Sequence, residues 1–252
     1  MEMASKPPQL GFRSRFELSA VLAAAALLAG CAQRPALSTD ERQELRRKLT
    51  QWEDDRFLRI SYFVTPFFGD SSKKLLSPAP PGELRLVNDV GRPITPGAIE
   101  RVLPVGTRVR VTQVEFPTTW VVAHRRPETP RAQAWIYLDA GAALPGPLIL
   151  VLPHTIPDVE SFEAELDRYV SVSDPSANLS RWSEPVQEAV RAKGAVLGMP
   201  DEALEMAQGY PEQKRVSFES SGRKEEWIYS RGLRVAHLLD GRLESITRSD
   251  KK

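Results

Sequence analysis

A single thiol, three widely separated histidines and one serine in a Gly-Asp-Ser turn are the groups of this 252-residue chain best suited to covalent chemistry. The thiol, Cys31, follows Leu28-Ala29-Gly30, so two small residues precede a nucleophilic sulfur at the end of an apolar run. Ser71, in Phe68-Gly69-Asp70-Ser71, is a nucleophile only beside a base that a third group orients. Three residues before His124, His154 and His237 stand Val121, Val151 and Arg234, so no Asp-x-x-His spacing supplies that base. The histidines are thirty or more positions apart and the cysteine is single, which argues against a metal centre. His154, flanked by Pro153 and Pro157, could meet Asp158 or Glu160 only as a solvated loop pair. Glu225 and Glu226 are adjacent, and adjacent residues of a strand point to opposite faces, so they cannot share an acid–base task. No Gly-x-x-x-x-Gly-Lys or Gly-x-Gly-x-x-Gly cradles a phosphate. The expectation is therefore no catalytic residue, no metal and no cofactor.

Binding chemistry is better supplied. Trp120, Trp135 and Tyr137 lie in one β-patterned region and are the candidate binding residues. Large aromatics at alternate strand positions chiefly fill a sheet face, so Trp135 and Tyr137 also read as core, as do Trp227 and Tyr229. The chain has 34 Lys and Arg against 33 Asp and Glu, a net charge of +1, with no long charge block. That balance argues against a nucleic-acid partner, which needs clustered cations. With 41% apolar residues a real core can form, and 21 Pro with 15 Gly favour short elements and many turns.

The elements begin with residues 1–30, where Lys6, Arg13 and Arg15 precede an apolar or small run over 18–29. Those twelve residues make a helix of about 18 Å, short of the ~30 Å hydrocarbon slab, so the run reads as an export signal rather than a span. Leu28-Ala29-Gly30-Cys31 resembles the lipobox of bacterial lipoproteins, which implies a mature chain anchored to a membrane through acylated Cys31, with no free thiol. Removing 1–30 leaves 31 basic and 31 acidic residues. Ala32 stands where an Asp commonly retains such lipoproteins in the inner membrane, so the resemblance implies the periplasmic face of the outer membrane, the inner membrane remaining open.

After a tether over 31–37, Ser38-Thr39-Asp40-Glu41 has the form of a capping box and predicts a helix over 38–59, with Leu45, Leu49 and Trp52 on one stripe. Residues 60–82 end in a Ser- and Pro-rich stretch and read as a linker. Over 83–152 the period becomes two, predicting a small all-β, barrel-like domain. Residues 153–195 form a helical connection, with helices over 158–170 and 184–193, the second stopping at Gly194. Residues 196–248 predict a small α+β domain: Pro200 opens a helix, Gly209 ends it, and Gly222, Gly232 and Asp240-Gly241 mark reversals of a three- to four-stranded antiparallel sheet. The fold class is α+β.

Three further resemblances attach to these residues. Val105-Gly106-Thr107-Arg108-Val109-Arg110-Val111, Trp120 and Ala134-Trp135-Ile136-Tyr137-Leu138 resemble a bacterial Src-homology-type small barrel, which implies peptide binding on exposed aromatics. Gly198-Met199-Pro200, Gly209-Tyr210-Pro211, Glu226-Trp227-Ile228-Tyr229 and Asp240-Gly241-Arg242-Leu243 resemble the BamE/SmpA-OmlA small lipoproteins, which implies a β-barrel assembly complex as a partner. The block ending in Ser71 resembles that of Gly-Asp-Ser esterases, although the partner histidine motif and the Gly before Asn88-Asp89 are missing. Three functions are thus expected, in order: a non-catalytic envelope scaffold or assembly accessory, a module binding peptidoglycan or a peptide through the barrel aromatics, and a serine hydrolase at Ser71.

Overall fold

Ser38 opens the first helix as its spacing predicts. Its hydroxyl accepts from the Glu41 N–H (3.2 Å) while the Glu41 carboxylate accepts from the Ser38 N–H (2.6 Å), pairing two donors that a helix start otherwise leaves free. The structure, a computed structural model, describes residues 37–51, 55–153 and 156–249. The export signal, Cys31 and His154 lie outside the described residues.

Helix α1 spans Thr39–Thr50 and buries Leu45 and Leu49. The helix expected to reach 59 stops earlier because Arg56-Phe57-Leu58 is claimed by strands on both sides: Phe57 pairs with Arg108 and with Ser171. This is β1 (Arg56–Leu58). Residues 60–82 are not a linker. They hold β2 (Tyr62–Phe67) and β3 (Asp70–Ser77), with Tyr62, Val64, Phe67, Leu75 and Leu76 buried. Pro66, inside β2, lies past the end of the ladder with β6, where pairing stops at Val64 and proline is tolerated.

The expected β region supplies β4 (Leu86–Val87) and β5 (Pro93–Ile94), a separate two-stranded ladder, then β6 (Arg101–Leu103), β7 (Arg108–Glu115), helix α2 (Thr119–His124), β8 (Trp135–Asp139) and β9 (Leu148–Val151). Helix α3 (Val159–Asp167) and β10 (Val170–Ser171) follow. The barrel-like domain is consequently not confined to 83–152. One curled sheet, a half-barrel, runs β10-β1-β7-β8-β9-β3-β2-β6 and draws strands from both flanks of that range. All its pairings are antiparallel except β3 with β9, where Leu75 faces Ile149. Because successive strand residues point to opposite faces, Leu76, Ile136 and Leu150 enter the main core with α1, Phe162 and Leu166, while Leu75, Trp135 and Ile149 form a second cluster with Phe67 and Phe68.

Helix α4 (Glu184–Arg191) and α5 (Asp201–Gln208) cover one face of the second sheet, β11 (Gln213–Glu219), β12 (Gly222–Tyr229), β13 (Arg234–Leu239) and β14 (Arg242–Arg248), in that spatial order. Pro200 precedes α5, and Gly209 at φ 86° ends it. The turns fall where the glycines place them, and Trp227 and Tyr229 share the buried face with Leu204, Ala236 and Leu238. The fold is α+β as expected. One detail differs: α4 ends at Arg191, and the left-handed residue after it is Lys193 (φ 58°), not Gly194. Gly194 N–H donates to Ala189 O (2.7 Å) and Lys193 N–H to Val190 O (3.2 Å), the paired closure that usually uses glycine.

The lysine earns that backbone by what its side chain does. Lys193 is 5% exposed, and its Nζ donates to Ser61 O (2.6 Å) and Ala207 O (2.9 Å). Ser61 in turn donates its hydroxyl to Val190 O (2.5 Å) and its N–H to Met206 O (2.8 Å). Burial holds the Lys193 pKa well below its usual value, nearby Arg234 pushes it the same way, and Glu83 opposes both. Beside this clasp, Arg234 donates to the Glu83 carboxylate (3.1 Å), tying β13 to the segment before β4.

Candidate aromatic cleft

The three candidate aromatics, fifteen and two positions apart in sequence, line one cleft of about 210 Å³. Helix α2 carries Trp120 and His124 one turn apart on the same side. Thr118 Oγ1 caps the helix by accepting from Val121 N–H (3.3 Å), and the Trp120 and His124 rings stack at 4.0 Å and 26°. Trp120 is 69% exposed, an unusual amount of indole for water to face. His124 is fixed by a 2.7 Å contact between its Nδ1 and Trp120 O.

Trp135 makes the floor. It is 4% exposed, meets Phe67 edge-on (4.8 Å, 79°), and donates its Nε1–H to Pro130 O (3.1 Å). The packing reading of this residue fits this geometry, since one edge of the ring is core and its face is covered by Arg125. That guanidinium lies 3.5 Å from the ring centroid. It donates to Glu115 Oε1 (2.6 Å), Glu115 O (3.2 Å), Arg131 O (2.8 Å) and Gln133 O (2.6 Å). Arg125 is thus spent on structure: it pins the 125–133 loop to β7. Burial lowers its pKa somewhat and Glu115 counteracts this. Tyr137 is half-buried, its pKa pushed up to about 12 by burial and then by the charge of Glu115.

The rim carries both signs of charge. Asp70 accepts from Lys73 Nζ (2.5 Å) and Ser72 Oγ (2.6 Å), and these two bonds hold its pKa at about 2. Arg126, more than half exposed, reaches toward Gly69 O and Glu128. A flat aromatic wall with a cation and a carboxylate at its edge suits a ligand that has an apolar side chain and charges of both signs.

Ser71 stands at the start of β3, exposed, with no hydrogen bond to a histidine among the described residues. Glu225 and Glu226 do face opposite ways: Glu225 is buried and accepts from Trp227 Nε1 (3.0 Å), while Glu226 lies 3.8 Å from His237 on the open face. Among the described residues no group of three His, Cys, Asp or Glu side chains converges, and no helix is long and apolar enough to cross a membrane. Sequence reasoning missed Arg125 and Lys73. Arg125 had a faint signal, a cation inside the Trp120–Trp135 interval, whereas Lys73 lay in a stretch read as linker.

No family profile, curated protein or solved structure matches the chain. The cleft must be read from its own chemistry.

Proposed function

We propose that this protein is a lipid-anchored accessory of the bacterial envelope, held through acylated Cys31 at the periplasmic face of the outer membrane, and that it works by binding rather than by catalysis. The working surface is the aromatic cleft. The observation that carries this reading is the largely bare Trp120 indole, set across from a floor rigidified by Arg125 and Trp135. Exposed aromatics on a stiff scaffold bind with little ordering cost, because two torsions position a large apolar area. The rim favours an extended peptide with charges of both signs: its ammonium meets Asp70, its carboxylate meets Arg126, and an apolar side chain lies on Trp120. A peptidoglycan stem peptide has that character, as does a segment of another envelope protein.

Two measurements test the reading. Purified sacculi are expected to retain the wild-type chain and to release it when Trp120 is replaced by Ala, with at least about a tenfold loss of affinity from removing one aromatic anchor. Equal retention of both proteins would refute the cleft. Growth on labelled palmitate should mark the protein, and Cys31→Ser should abolish the label; an unlabelled wild type would remove the anchor from the account.

A further inference from the structure

The outermost strands of the two large sheets differ in how much free backbone they leave among the described residues. The large sheet ends on β10 and β6, which are two and three residues long, too short to recruit another chain. The outer edge of β14 is occupied at its first residues by the segment before α5: Gly198 N–H donates to Leu243 O (2.8 Å), Leu243 N–H to Met199 O (2.9 Å) and Asp201 N–H to Gly241 O (2.8 Å). At the other side of that sheet, β11 runs for seven residues, all of them exposed, with Val216 at 47% and Phe218 at 80%.

The register identifies its free peptide groups. Phe218 is opposite Arg223, and the Arg223 carbonyl accepts from Asp240 N–H (2.9 Å), so Arg223 turns its peptide groups to β13 and Phe218 turns its own away from β12. By alternation Val216 and Lys214 do the same. Among the described residues no backbone hydrogen bond reaches these groups.

The side chains select an occupant. If β11 meets a second β11 antiparallel about a two-fold axis at Ser217, Val216 falls opposite Phe218 of the second copy, and each such pair exchanges two backbone hydrogen bonds through the free groups. Arg215 then falls opposite Glu219 of the second copy, in the pair type that brings side chains closest. Both charges have only solvated partners within their own chain, Glu226 at 3.8 Å and Lys224 at 2.7 Å, and are free to exchange them. Moving the centre one residue, to Val216, would set Lys214 against Phe218 and Arg215 against Ser217, losing both complementary pairs.

We propose that two copies of this chain associate through β11 in the register centred on Ser217, merging two four-stranded sheets into one. A contact of a single strand on each side falls below the about 1,200 Å² of a standard interface, so the dimer is weak and concentration-dependent.

The test uses the full chain in detergent with Cys31→Ser, so that an added cysteine is the only thiol. On oxidation Ser217→Cys is expected to give a disulfide-linked dimer, because its symmetry mate is the directly opposed residue. Glu219→Cys should give none, its mate lying four residues along, about 13 Å away. By sedimentation, Arg215→Glu and Glu219→Arg should each raise the dimer Kd about tenfold and the double exchange should restore it, the signature of a direct pair. The proposal is overturned by a monomer at about 1 mM, by equal crosslinking at 217 and 219, or by a double variant as weak as the single ones.

Discussion

Replacing Lys193 with Met tests the clasp between the two sheets, and its pH dependence makes the test sharp. Methionine keeps the length of the stem but leaves the carbonyls of Ser61 and Ala207 without the donor they now have at 2.6 and 2.9 Å. Each unpaired buried carbonyl costs about 1–3 kcal/mol, and removing a poorly solvated amine returns part of this, so the expected loss is about 2–4 kcal/mol. The sign with pH follows from linkage. In the folded chain the Lys193 pKa lies well below its ordinary 10.5, lowered by burial and by Arg234 against the pull of Glu83. Between the folded and unfolded values the unfolded chain holds a proton that the native one does not, so stability rises with pH, by at most about 1.4 kcal/mol per unit. The methionine side chain has no such proton. The gap in unfolding free energy between wild type and Lys193→Met should therefore widen as pH rises toward the ordinary lysine value of 10.5, in urea titrations followed by tryptophan fluorescence. All other groups are common to both chains and cancel in the difference. A gap that stays flat, or narrows as pH rises, would mean that Lys193 is charged in the fold and would refute the reasoning.

Arg125→Met should cost about 3 kcal/mol, less than a wholly buried pair because Glu115 stays in partial contact with water, and should loosen the 125–133 loop; hydrogen exchange there checks it. Gly106→Ala should destabilise by more than about 1 kcal/mol, since Gly106 has φ 79° and a Cβ would come 2.5 Å from Ser176 Cβ, measurable as a lowered Tm. Ser71→Ala is expected to leave stability and sacculus retention within error, as its side chain is exposed; a loss of ester hydrolysis on this change would instead revive the serine nucleophile.

Local signals carried the sequence reading where structure is local. The Ser38–Glu41 box, the Pro200 and Gly209 bounds of α5 and the Asp240-Gly241 reversal all depend on residues close to one another along the chain, and each falls where its chemistry requires. The strands over 62–77 were hidden because the Ser- and Pro-rich stretch over 69–82 argues for a loop, while β6 and β9, which stabilise them, come from residues 101–103 and 148–151. Trp120, Trp135 and Tyr137 were visible as residue types, but their division into an exposed wall and a buried floor depends on Arg125, which no period reveals. Lys193 illustrates the same limit: a lysine after a helix reads as surface until Ser61 is brought beneath it.

The distance along the chain between those two residues also dictates a schedule. Ser61 is bonded to partners 129 and 132 residues further on, and closing so wide a loop must precede any gain from the contact. The neighbouring strand from Tyr62 to Phe67 pairs with residues no later than 103, so the buried polar contact that joins the two sheets is the one that must wait for residue 193.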